Sequence, residues 1–155
     1  MKGAILYKGE NYYTKLGKIF CKMNNFERKY NWLITDIECY PENKEYLKLL
    51  SNRYWFLTGI QLSEMIKNED FQWIWGVFSG FNKNIKLDEI LQYNMPYANE
   101  NEDLWKTLNI QHPLAVIEII AWDSSLTIIK SCNNSIVDCF LNKFELSENL
   151  TKYFN

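Results

Sequence analysis

A single histidine, His112, and four cysteines, Cys21, Cys39, Cys132 and Cys139, are the side chains best suited to nucleophilic, acid–base or metal chemistry in this chain. Their spacing argues against all three. A histidine base needs a carboxylate to orient its ring, and none is marked out near His112, which precedes Pro113 at the entrance to an apolar run. His112 therefore reads as a structural or exposed residue. One imidazole cannot build a histidine-based metal site, and the cysteines form no C-x-x-C pair and stand beside no histidine. They read as free thiols in a reducing compartment. Asp123-Ser124-Ser125 sets a nucleophile beside an acid, but serine hydrolysis also needs a base and an oxyanion hole, and neither G-x-S-x-G nor S-x-x-K occurs. That tripeptide reads as a turn. Asp36 and Glu38, two apart on one expected strand face, and Glu69-Asp70, in an expected loop, could assist proton transfer, yet such pairs are frequent on solvated surfaces. Gly76 and Gly80 make no phosphate cradle, because neither G-x-x-x-x-G-K-[ST] nor G-x-G-x-x-G is present. The sequence thus predicts no catalytic residue, no cofactor and no metal.

What remains is binding. The chain of 155 residues carries six Trp, ten Tyr and nine Phe. Trp73, Trp75 and Phe81 could stack a base or an apolar ligand, but aromatic residues at strand spacing more often fill a core. The segment from Asn94 to Pro113 differs in kind: it is polar, turn-rich and the longest stretch without periodicity. Within it Glu100, Glu102 and Asp103 precede Trp105, a mixture suited to docking a basic protein partner around an aromatic anchor. In the plainer alternative the loop is solvated and Trp105 turns back into the core.

Those residues must be positioned by a packed frame, and its elements can be read from periodicity. Strands are expected at Gly3–Tyr7, Tyr30–Cys39, Arg53–Leu57, Phe71–Phe78, Ala115–Trp122 and Leu126–Ser131. Phe71–Phe78 should lie inside the sheet, with Phe71, Trp73, Trp75 and Val77 on one face and Ile74 and Phe78 on the other. Tyr12, Leu16, Ile19, Phe20 and Met23 recur at helical spacing, as do Ile136, Val137, Phe140, Leu141 and Phe144 in a helix at Ser135–Phe144 capped by Asn133, Asn134 or Ser135. Pro41 fits a first helical position, Thr58-Gly59-Ile60-Gln61 a capping box, Lys86–Tyr93 a short helix, and Leu104–Leu108 about one turn. Asp123 should open a type I turn between the last two strands. Together these predict a single α+β domain over residues 1–155, with a mixed or mainly antiparallel sheet of about five or six strands packed with helices.

The formal net charge is -2, from 17 basic and 19 acidic side chains dispersed along the chain, so no basic stripe marks a nucleic-acid surface. The first residues resemble no signal peptide and no run is long enough to span a membrane, which leads to an expected cytoplasmic location. Tyr30-Asn31-Trp32 behind an amphipathic helix, and Ile120-Ala121-Trp122-Asp123-Ser124-Ser125 running into Leu126–Ile129 and a terminal helix, resemble a family of small proteins from low-GC Gram-positive bacteria known as a domain of unknown function. The resemblance implies a similar length and mixed fold and transfers no catalytic residue. In composition the chain is also similar to bacterial immunity proteins, which neutralise toxins. The function expected first is therefore stoichiometric, non-catalytic binding of another protein. A small-molecule binder with an aromatic pocket is the second reading, and an enzyme using Asp36, Glu38 or Asp123 the third.

Overall fold

A computed structural model describes residues 1–154. In chain order its elements are β1 (Lys2–Leu6), α1 (Leu16–Lys22), β2 (Asn31–Cys39), α2 (Lys44–Leu50), β3 (Tyr54–Thr58), α3 (Gly59–Asn68), β4 (Trp73–Phe81), α4 (Leu87–Ile90), β5 (Ile117–Trp122), β6 (Leu126–Ser131), α5 (Asn134–Lys143) and β7 (Glu148–Asn149). Short 3-10 turns cover Phe26–Lys29, Glu102–Trp105 and Leu150–Tyr153. The strands form one sheet in the order β3-β2-β4-β5-β6-β1-β7, antiparallel at every pairing. The α+β class stands, with seven strands instead of five or six. The seventh is the two-residue β7, which pairs with Ala4 and Ile5 and is too short to leave a periodic signal. Among the described residues no helix is long and apolar enough to cross a membrane.

One sheet face is buried by helices. Leu16, Ile19 and Phe20 of α1, Leu62, Met65 and Ile66 of α3, and Ile136, Val137 and Phe140 of α5 close over Trp32, Ile34, Phe78, Ile117, Ile119 and Ile129. The capping box forms as expected: Thr58 Oγ1 accepts from Gln61 N at 3.1 Å and Gln61 Oε1 from Thr58 N at 2.8 Å. Gly59, directly after Thr58, allows α3 to lie directly on the Phe26–Lys29 turn. A Cβ there would run into the Glu27 carbonyl oxygen and stand 2.6 Å from that of Tyr30. Helix α2 begins after Asn43, whose Oδ1 accepts from Glu45 N and Tyr46 N, so Pro41 lies before the helix and not at its first position. Tyr12 is exposed ahead of α1, and α4 is a single turn, shorter than the expected Lys86–Tyr93.

The other sheet face is buried mainly by irregular chain, with the single turn of α4 as its one helical contribution. Ile5, Val77, Ile120 and Ile128 pack against Ala98, Leu104 and Leu150, while Leu33 and Phe81 pack against Ile90 and Ala115. The long irregular segment and the C-terminal tail are therefore a second covering layer.

Two irregularities in the ladder set which aromatic residues face which way. Between β2 and β4, Thr35 pairs with Val77, Glu38 with Trp75 and Cys39 with Trp73. The first step places an extra residue in β2, where Asp36 has φ +50°, and the second leaves Ile74 as an extra residue in β4. The bulge at Ile74 reverses alternation: Trp73 joins Phe71 and Phe78 beneath the helices, and Trp75 joins Val77 on the opposite face. The expectation that Trp73 and Trp75 share a face is thus corrected. Trp73 is completely buried, its ring 4.7 Å from that of Phe78. The β5–β6 turn also differs from expectation. Asp123 and Ser124 have φ of +46° and +57° while Ser125 N donates to Trp122 O, the type I′ geometry that matches strand twist.

Candidate functional site

Irregular backbone can cover a sheet only if its polar groups find partners, and here side chains from the sheet and from the segment itself provide them. Asp36 Oδ2 accepts from Ala98 N at 2.7 Å and Asn99 N at 2.8 Å, and Thr35 Oγ1 donates to Pro96 O at 2.7 Å. Further along, Gln111 Oε1 accepts from Tyr97 N. Gln111 N and Nε2 both donate to Glu118 Oε2, at 3.1 and 3.2 Å. Lys130, opposite Glu118 in the β5–β6 ladder, donates to Asn109 O at 3.2 Å. Its Nζ lies 3.7 Å from Glu118 Oε1, and both side chains are fully buried. His112 completes the attachment, with Nε2 against Ile90 O at 3.0 Å and Nδ1 accepting from Leu114 N at 3.2 Å.

On this pinned segment the 3-10 turn Glu102–Trp105 sends Leu104 into the core and leaves Trp105 half-buried beside β5. The Trp105 and Trp122 rings meet edge-to-face with centroids 5.3 Å apart at 83°, and Trp122 meets Trp75 at 5.0 Å and 71°. A groove of about 410 Å³ opens here, lined by Glu102, Trp105, Lys106, Trp122 and Tyr153. A polar depression of about 400 Å³, lined in part by Tyr97, Glu100, Asp103 and Asn101, shares Glu102 and Lys106 with it. Glu100, Glu102 and Asp103 are exposed, with Lys106 Nζ 3.7 Å from Asp103 Oδ1. The structure thus brings Glu100, Glu102, Asp103 and Trp105 into one surface region.

Sequence reasoning missed Trp122 and Tyr153. The signal for Trp122 was its position at the end of β5, next to Asp123 of the hairpin turn. Tyr153 gave no local signal, because it reaches the groove through the tail. Its hydroxyl donates to Glu148 Oε2 at 2.7 Å, and Lys8 Nζ donates to Glu148 Oε1 at 2.6 Å. The Lys8 hydrogen bond, followed by that of Tyr153, holds the Glu148 carboxyl down at about 2, while burial and its bonds to Tyr7 and Glu148 push the Tyr153 hydroxyl up.

The other candidate chemistry is dispersed. Asp36 is occupied by backbone N–H groups, and Asp123 is exposed in the turn. Glu69 accepts from Glu42 N and Asn43 N, and Asp70 accepts from Gly17 N, burial raising the Asp70 carboxyl. The four cysteines are free, and burial, then the nearby Glu69 charge, pushes the Cys39 thiol up to about 12. Among the described residues no three His, Cys, Asp or Glu side chains converge as metal ligands would. Compared with family models, curated proteins and solved structures, the chain has no match.

Proposed function

We propose that this protein binds another protein stoichiometrically and without catalysis, in the manner of an immunity protein or antitoxin, through the surface around Trp105. The observation that carries this reading is a half-buried indole, braced by Trp122, standing beside three exposed carboxylates on a segment that the sheet already holds in place. Aromatic anchors contribute most to affinity when their surroundings are rigid before binding, because little ordering remains to be done. Dispersed acidic groups at the rim attract a basic partner and set its approach.

The test uses a basic partner recovered by pulldown with this chain, identified, purified and measured for association and dissociation rates. An equimolar complex is expected. Glu100→Gln, Glu102→Gln and Asp103→Asn should mainly lower the on-rate and flatten its salt dependence, while Trp105→Ala should raise the off-rate. If all four variants leave both rates unchanged, the binding surface lies elsewhere. A second reading, a small apolar ligand in the same groove, is favoured by its volume, which falls within the roughly 300–1,000 Å³ of small-molecule sites. That reading predicts binding that is insensitive to salt and to the three carboxylates.

A further inference from the structure

Building on the protein-docking reading above, we propose that the groove between Trp105, Trp122 and Tyr153 receives an arginine side chain of the partner, its guanidinium stacked on aromatic surface and paired with Glu102. Three of the five residues lining the groove are aromatic, and one of the remaining two is a carboxylate. That combination of π surface and anionic rim is the chemistry that recognises an organic cation. The charge balance points the same way: Glu100, Glu102 and Asp103 face a single cation, Lys106, across the groove and the depression joined to it. The Lys106–Asp103 contact is 3.7 Å long between side chains 54% and 89% exposed, so it holds the lysine only weakly and leaves Glu102 without an ion-pair partner among the described residues.

Arginine fits this groove better than lysine does. The groove is open, and an ammonium ion would keep much of its hydration there. A guanidinium is flat and more weakly hydrated, and it presents paired N–H donors that match a carboxylate while its face lies on a ring. The walls are also set before the cation arrives. Trp122 braces Trp105 on one side, and the Glu148 hydrogen bond fixes Tyr153 on the other.

The experiment titrates the full-length protein with three capped pentapeptides, Gly-Gly-X-Gly-Gly with X as arginine, lysine or citrulline, while the six indole N–H signals are followed by NMR. Arginine peptide should shift Trp105 and Trp122 while leaving buried Trp32 and Trp73 unmoved. Citrulline, which keeps the shape without the charge, should bind at least about two- to five-fold more weakly, the contribution of one exposed cation–π contact. Glu102→Gln, an exposed change, should weaken arginine binding, and Trp105→Phe should weaken it less than Trp105→Ala. Equal affinity for arginine and citrulline, or shifts spread evenly over the indoles, would overturn the proposal, and lysine binding as tightly as arginine would overturn the guanidinium assignment. Such a failure, with the complex still responding to the loop variants, would reject the arginine and retain the docking surface. Loss of both responses would reject the surface itself.

Discussion

Glu118 and Lys130 are the least expected residues in the core, a charged pair with no exposure, set opposite one another on β5 and β6. Burial raises the Glu118 carboxyl and lowers the Lys130 ammonium, each towards its neutral form, and their attraction opposes both shifts. A pair of well-packed apolar side chains would be as stable or more so. What the charges contribute is geometry, because they take up the backbone and side chain of Gln111 and the carbonyl of Asn109 and so fix where the covering segment ends. His112, next along, does similar work and is the residue whose titration should be visible. Its ring accepts a hydrogen bond at Nδ1 and lies against a carbonyl at Nε2, an arrangement open only to neutral imidazole with the proton on Nε2. Burial lowers its pKa more than the Ile90 carbonyl raises it. The folded state therefore binds fewer protons than the unfolded chain below an unfolded value of about 6.5, and its stabilisation is complete above that pH and lost as pH falls towards the folded value. Urea unfolding of the wild type and His112→Gln should show a stability gap at about pH 7.5 that narrows at about pH 5. A gap that does not change with pH would mean that His112 contributes nothing through its protonation state.

At the scale of elements, what could be read in advance was whatever depends on neighbours in sequence. The Thr58–Gln61 capping box and the apolar stripe of α5 both stand where their spacing puts them, since each is satisfied within one or two turns. The start of α2 could not be read in the same way. Pro41 gave the stronger local signal, but Asn43 caps the helix, and the Glu69 carboxylate secures the preceding backbone from 27 and 26 residues away. The bulges in β2 and β4 were hidden for a related reason: an extra residue leaves composition unaltered and changes only which face later side chains occupy. An aspartate inside the apolar run of β2 was the available hint. By residue type Asp36 is a possible acid–base group, and its position at φ +50° with two backbone N–H partners explains it as an anchor. Asp36→Ala should therefore cost about 1.5–3 kcal/mol, the value of hydrogen bonds to a charged group, and should speed hydrogen exchange at Ala98 and Asn99 far more than in α3. Asp36→Asn should recover part of the loss. Unchanged exchange at those two amides would show that Thr35 and the Gln111 contacts hold the segment without Asp36.

For the whole molecule, the sheet is a wall with two differently built coverings, helices on one side and, apart from the single turn of α4, pinned irregular chain on the other. Helical covering announces itself through periodicity, and irregular covering does not, so the stretch from Asn94 to Pro113 reads in sequence as an exposed loop although Ala98 and Leu104 are buried beneath it. The tail is still less visible. Its strand is two residues long, and its main packing residue, Leu150, is completely buried against β1, where a Cβ on Gly3 would stand 3.0 Å from Leu150 Cδ2. The same tail delivers Tyr153 to the candidate groove, which couples the surface to the stability of the second layer. Leu150→Ala should cost about 2–5 kcal/mol, as for other leucines cut back in a packed core. If the coupling holds, the variant should also bind the arginine peptide more weakly under conditions where it is still folded, because Tyr153 and the Glu148 hydrogen bond are no longer held on β1. A variant that melts like the wild type would show that the tail is not part of the core. One that is destabilised yet binds the peptide as before would show that Trp105 and Trp122 form the groove without Tyr153.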